Sequence, residues 1–409
     1  MNIAVIGGGA AGYTAAIAAA RNGVRVTICE KCDRTARKIL ATGNGRCNMS
    51  NRNASEKNYH GSDPRFVRGV MRRFWVEETL DFFENLGIVP KEEENGKIFP
   101  YSLQAAAVSD VLRYEADRLG IKTICNFEVN DIKRGKNCFR LISTSGETVE
   151  AEKVILAAGG KASPNLGSDG SGYKLAEKFG HKTTKLYPSL VQVKTENTYT
   201  KALQGLKVNG TAAFFENDKL VKKVGGEILF TEYGLSGPPI FDLSRLASTR
   251  KNGEIRLDLM PEYSYEQVVR MLEERKYHKK TLETYFTGML AKKLGQVLLK
   301  SCDTVPLSRD AKTLSKREIE TAARKIKSWS FSVTGVMPWK NAQVTAGGIE
   351  TSGVDPSTLE SKKVRGLYFA GEILDIDGDC GGYNLQWAWA SGYVAGMSAS
   401  KQKGCGNLD

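Results

Sequence analysis

The first thirty residues constrain this chain more tightly than any other segment. Asn2-Ile3-Ala4-Val5-Ile6 is an apolar strand that runs into Gly7-Gly8-Gly9-Ala10-Ala11-Gly12, a G-x-G-x-x-G pattern at Gly7, Gly9 and Gly12. An alanine-rich helix from Tyr13 to Asn22 follows. Val24-Arg25-Val26-Thr27-Ile28-Cys29 then forms a second strand, with Glu30 at its carboxyl end. Gly7 permits the tight turn, Gly9 lets a pyrophosphate approach the backbone, and Gly12 lets helix and strand pack closely. The unpaired N–H groups at the helix start, around Ala10 and Ala11, and the helix dipole favour phosphate. Glu30 is placed to accept hydrogen bonds from both ribose hydroxyls. Strand, helix, strand and acid in this order point to a bound dinucleotide, with a structural glycine turn as the alternative.

Two remote segments suit FAD better than NAD. Val154-Ile155-Leu156-Ala157-Ala158-Gly159-Gly160 is a buried-looking strand that ends in small residues, where a cofactor can approach without meeting a side chain. Gly366-Leu367-Tyr368-Phe369-Ala370-Gly371-Glu372 is a strand ending in an acid, which is placed to hold a ribityl hydroxyl or a pyrophosphate-bound water. Behind it, Gly381-Gly382-Tyr383-Asn384-Leu385 opens the last helix. Its unpaired N–H groups face the need of a reduced flavin, whose pyrimidine end carries negative charge. Taken singly, each segment also reads as ordinary surface strand or core helix.

With these segments in view, Thr35-Ala36-Arg37-Lys38-Ile39-Leu40-Ala41-Thr42-Gly43-Asn44-Gly45-Arg46-Cys47-Asn48 resembles the R-K-x-x-x-(S/T)-G-x-G-R-C-N stretch of the YhiN/BaiN-like flavoproteins. The likeness continues at Gly167-Ser168-Asp169-Gly170-Ser171-Gly172, at Leu229 to Pro238, at Ala342 to Gly348 and from Gly366 to Gly396. It therefore covers nearly the whole chain. Glu232 stands where many relatives carry histidine, so no imidazole role carries over there. The family includes steroid (bile-acid) double-bond reductases and aminoacetone oxidases. The resemblance implies a discontinuous Rossmann-like FAD-binding α/β fold. It also implies FAD contacts at Gly7, Gly9, Ala10, Ala11, Gly12, Glu30, Lys31, Arg37, Lys38, Thr42, Gly43, Asn44, Val129, Ala158, Gly159, Gly371, Glu372, Gly382, Asn384 and Leu385.

Composition fits a large soluble enzyme of two or three domains, since 409 residues at 41% apolar content exceed one ordinary core. No run approaches 18 apolar residues and Met1 to Ile6 is too short for a signal peptide, so a cytoplasmic protein without a membrane span is expected. The eight cysteines show no disulfide rhythm. Cys29 and Cys32 form a C-x-x-C that overlaps the expected ribose position and reads as incidental, and no metal site is indicated. Against 46 acids stand 59 Lys and Arg, a net charge of +13. The basic run Lys312 to Lys327 has no interleaved aromatic before Trp329, so a solvated face is favoured over nucleic acid.

The motif positions place an FAD-binding domain over residues 1–190 and 330–409. Short alternating strands with Gly and Asn turns predict a β-barrel-like insert over 191–261. Helical periodicity predicts a small helical insert over 262–329. A small-molecule substrate is expected in a cleft between domain and insert; oligomeric state is not indicated.

Flavin carries the redox step, so the protein's part is binding, orientation and electrostatics. There is no second glycine fingerprint, so NAD(P)H, if used, visits the flavin transiently as a co-substrate. Candidate catalytic residues are Arg46, Tyr187 and Tyr383. Arg46 either stabilises charge on the reduced ring or a substrate, or makes a structural ion pair. The tyrosines, with Tyr233, are either proton donors or packing residues. His60, His181 and His278 lie outside the flavin motifs and read as surface. Three functions stay open: an NAD(P)H-driven reductase of a C=C bond conjugated to a ketone, a flavin oxidase of a small amine such as aminoacetone, and a flavin-bearing nucleic-acid or partner-binding protein.

Overall fold

A computed structural model describes residues 1–196, 198–278 and 281–401. The chain divides into two compact units. One comprises Met1–Tyr187 with the described chain from Gln343 onward, and the other is Pro188–Ala342.

The first unit is built on a five-stranded parallel sheet. Its order is Leu367–Phe369, Lys153–Leu156, Asn2–Ile6, Arg25–Cys29 and Lys122–Ile124. Apolar runs such as Val154-Ile155-Leu156 suit a sheet covered on both faces, and all three of these residues are fully buried. The first helix, Ala10–Arg21, packs against the last, Tyr383–Ser400. Close approach is possible because Gly392 and Gly396 lie against the carbonyls of Ala11 and Ala15, where any Cβ would overlap. An antiparallel sheet of Val129–Arg134, Phe139–Ser143 and Thr148–Ala151 brings Val129 to the nucleotide end of the unit.

The second unit holds a closed six-stranded barrel. Its order is Val193–Glu196, Gly234–Ser236, Lys219–Thr231, Lys207–Glu216, Gly253–Asp258 and Trp329–Val336. Three helices, Tyr265–Arg275, Lys292–Ser301 and Lys316–Lys327, are inserted before the last strand. The expected return to the nucleotide domain at residue 330 therefore comes too early. Trp329–Val336 pairs with both Gly253–Asp258 and Val193–Glu196 and closes the barrel. The physical reason is alternation: Trp329 and Phe331 are buried while Ser330 and Ser332 are exposed, the period of a half-buried strand. Among the described residues no helix is long and apolar enough to cross a membrane.

Candidate functional site

The nucleotide turn has the geometry its glycines require. Gly7 lies at φ +104°, in the left-handed half of backbone space, and a Cβ there would overlap the Ala157 carbonyl. A Cβ on Gly12 would overlap the Gly7 carbonyl, whereas the space beside Gly9 is open. Gly9 caps the first helix without a side-chain bond, and Tyr13 is the first N–H to bond back to it. The N–H groups of Ala10, Ala11 and Gly12 are therefore not used within the helix.

Glu30 is buried and fixed from two sides. One carboxylate oxygen accepts the Gly8 N–H at 2.7 Å and the other the Cys32 N–H at 2.8 Å. A concavity beside it is lined by Gly7, Glu30, Lys31, Val129, Ala158 and Gly172. Lys31 pairs with Asp169 at 2.6 Å. Burial works against ionisation of Asp169, yet the Lys31 ammonium and bonds from Ser171 hold its carboxyl below the usual range. An open flank at Gly9, unspent N–H groups and an oriented carboxylate fit the pyrophosphate and ribose of FAD.

Other expected contacts are already engaged within the protein. Glu372 accepts from Lys38 Nζ at 2.6 Å and from the Thr345 N–H at 2.8 Å, so each oxygen already has a partner. Lys38 also reaches the Ala162 carbonyl at 3.3 Å. The Gly371 N–H is donated to Ser391 Oγ, and its carbonyl accepts the Trp387 indole N–H. Gly159, in the left-handed region at φ +73°, leaves room for Ser168. Arg37 donates to the Asn165 carbonyl at 3.1 Å.

The glycine loop and the start of the last helix form a second cluster. Thr42 donates its hydroxyl to the Ile39 carbonyl, and Gly43 and Asn44 are both left-handed. Gly382 caps the last helix at φ +100°, against the Ser50 carbonyl, with no side-chain cap. Gln386 is the first N–H to bond back, so those of Tyr383, Asn384 and half-buried Leu385 are not used within the helix. The Asn384 side chain is spent on the preceding loop, bonding Gly378 N–H, Gly378 O and Asp379 O.

Arg46 meets Glu93 at 3.2 Å and lies over the Phe99 ring at 4.3 Å. Tyr187 has the Lys185 ammonium 5.1 Å from its ring. Tyr383 gives its carbonyl to the Tyr59 hydroxyl at 2.9 Å. Tyr233 sits in a barrel hairpin turn, its carbonyl accepting the Thr195 N–H.

One histidine differs from the surface reading, and a second is only partly exposed. His181 is buried, bonded to Ser361 Oγ at 2.7 Å, and desolvation lowers its pKa to about 4. His60 lies beside the start of the last helix, its Nε2 2.9 Å from Asp379 Oδ1. No motif marks His60, because its partner lies 319 residues away. Cys29 and Cys32 are free, and burial pushes the Cys29 thiol up to about 12, which suits an inert position rather than a redox pair. Among the described residues no group of three or more His, Cys, Asp or Glu could hold a metal ion.

Residues 1–398 match the family described as HI0933-like protein Rossmann domain. The chain belongs to that family. With the nucleotide turn above, membership makes this HI0933-like protein an FAD-binding oxidoreductase. It is 40% identical over 98% of its length, and 99% of the relative's, to a 3-dehydro-bile acid delta(4,6)-reductase of Clostridium scindens. It is 30% identical, over 97% of this chain and 98% of the other, to a ribosomal RNA dihydrouridine synthase of Haemophilus influenzae. A protein of the same description from Escherichia coli is 31% identical over 95% of this chain and 96% of its own.

Proposed function

We propose that the protein reduces a carbon–carbon double bond conjugated to a carbonyl, with NAD(P)H as the electron source and a steroid-like ketone as substrate. The observation that carries this reading is the 40% identity, across nearly all of both chains, to a relative named for that reduction. The other relatives support the same chemistry at a coarser level. Dihydrouridine is uridine whose ring double bond, conjugated to a carbonyl, has been reduced. Bound FAD supplies the hydride in such a reaction.

This chain's residues supply the setting. The turn at Gly7, Gly9 and Gly12 and the N–H groups of Ala10 and Ala11 hold the pyrophosphate, and Glu30 the ribose. The concavity by Val129 and Ala158 takes the adenine end. The N–H groups of Tyr383, Asn384 and Leu385 stabilise negative charge at the pyrimidine end of the reduced ring. Lys38 and Glu372 act on the cofactor by holding Thr345 and the strand end beside it, rather than as open ligands. Arg46, tied to Glu93, shapes the glycine loop.

A second substrate reading, uridine within RNA, is favoured by a specific observation: a chain of net charge +13 suits a polyanion. Two relatives carry that activity in their names.

Anaerobic bleaching tests both. The bound flavin should lose its colour with NADH or NADPH and regain it on addition of a 3-keto steroid with a conjugated double bond. Recovery with a ribosomal RNA fragment instead selects the second reading. Bleaching by aminoacetone but not by NAD(P)H would replace both with an oxidase.

A further inference from the structure

We propose that His60, oriented by Asp379, delivers the proton that completes reduction of the conjugated double bond. The inference rests on the reductase reading above.

His60 is held in place by backbone on both sides. The strand Tyr59–His60 pairs antiparallel with Asp377–Gly378, in the register His60 to Asp377 and Tyr59 to Gly378. The Asp379 N–H adds a bond to the Asn58 carbonyl at 2.9 Å. Gly61 lies against the Asp375 carbonyl, where a Cβ would overlap, and Ser62 gives its N–H and hydroxyl to Asp375 Oδ2 at 3.0 and 2.6 Å. The partner loop is fixed in turn by the three bonds from Asn384. Asp379 stands three residues before Gly382, the cap of the helix whose N–H groups are assigned to the reduced ring. His60 is thereby fixed to the stretch of chain that leads into the flavin site.

The pair itself has the form of an oriented acid. Asp379 on Nε2 fixes ring orientation and tautomer and leaves Nδ1 to carry a proton to substrate. His60 is 32% exposed, so solvent can reach it, whereas Asp379 is more sheltered at 17%. One competing acid beside the helix start, Tyr59, is spent. The Tyr59 ring is buried and its hydroxyl bonds the Tyr383 carbonyl; burial raises its pKa well above the phenol value. Arg46 is paired with Glu93.

The step balances. Hydride from the reduced FAD forms a C–H bond at the β-carbon, and the π pair moves toward the carbonyl. That pair then takes the Nδ1 proton of the His60 imidazolium at the α-carbon, forming the second C–H bond as the N–H bond breaks and leaving the neutral ring with its Nε2–H on Asp379. The neutral imidazole regains a proton from solvent. The donor's contribution to such a step is about 100-fold or more in rate.

The test uses the FAD-loaded protein, its flavin reduced by light so that NAD(P)H binding plays no part. It is then mixed rapidly with whichever acceptor restores colour in the unaltered protein. His60→Asn should slow reoxidation on the order of 100-fold, and Asp379→Asn about tenfold, while FAD content stays within twofold of the parent. His278→Asn, at an exposed histidine of the other unit, should leave the rate within threefold. Nitrogen-15 histidine spectra of the neutral ring should show Nε2–H on His60 and a mixed tautomer in Asp379→Asn. Reoxidation of His60→Asn at the parent rate overturns the inference, as does a slowing that merely tracks lost FAD. If no conjugated carbonyl or uridine reoxidises the parent, the reductase reading fails and takes this inference with it. Should His60→Asn not fold, Asp379→Asn decides by its rate and tautomer.

Discussion

The helix pair behind the nucleotide turn and the core of the barrel reach close packing by opposite means. Where Ala10–Arg21 meets Tyr383–Ser400, side chains are reduced until backbone touches backbone, with Gly392 and Gly396 against the Ala11 and Ala15 carbonyls. In the barrel, Trp329, Phe331 and Phe230 fill the interior with rings whose centroids lie 5.4 to 6.3 Å apart. The first arrangement tolerates no added atom, because a backbone cannot move aside. The second is sensitive to atoms removed, because a ring leaves a void. Each suits what its region must do. The helix pair sets the height of the uncapped helix start at Gly9, whereas the barrel core only has to hold its unit together.

Trp329→Ala should therefore have the largest effect on stability, on the order of 3–5 kcal/mol, lost from the barrel unit. FAD content per chain, read from the visible spectrum of purified protein, should stay near that of the parent. Thermal unfolding gives the cost. A variant that loses its colour at a temperature where the parent keeps it, while unfolding no earlier, would break the division of labour.

Gly396→Ala reverses the experiment by adding one methyl. Overpacking against backbone costs about 1–3 kcal/mol, with the first helix displaced. FAD content should fall even at temperatures where circular dichroism shows the fold intact. Full FAD content with unaltered unfolding would mean that the helices separate without consequence, and the contrast with the barrel would dissolve.

What the sequence made legible was local. The G-x-G-x-x-G turn, the strand ending at Glu30 and the uncapped Gly381-Gly382 start each declare themselves within a few residues, because glycine geometry and helix ends are short-range physics. The barrel shows in the sequence as alternation, but alternation does not say to which sheet its closing strand belongs. Three helices separate Trp329–Val336 from Gly253–Asp258, and alternation names no partner. Side-chain pairs were the least legible. Lys38 and Glu372, 334 residues apart, pair with each other, and no motif in the sequence announces that bond. Arg46 was left open between cofactor and ion pair because Glu93 has no motif of its own. His60 carries no motif for the same reason: only the pairing of Tyr59–His60 with Asp377–Gly378 brings Asp379 to it.

Glu30→Ala sharpens the comparison at its smallest scale. The carboxylate contributes nothing to an apolar core, so its loss should cost the cofactor-free protein only the bonds it accepts, about 1–3 kcal/mol in thermal unfolding. Its removal leaves the Gly8 and Cys32 N–H groups without their acceptor and takes away the group assigned to the ribose hydroxyls. FAD affinity should fall about tenfold, roughly 1.4 kcal/mol, measured by titrating cofactor into the stripped protein. Gly396→Ala and Glu30→Ala would then lower FAD content by separate routes, one through helix position and one through a direct bond. Combined, their effects on affinity should add, because they lie in different contacts. Losses that fail to add would show that Glu30 acts by holding the turn at Gly8, and that the helix pair and the acid are a single device.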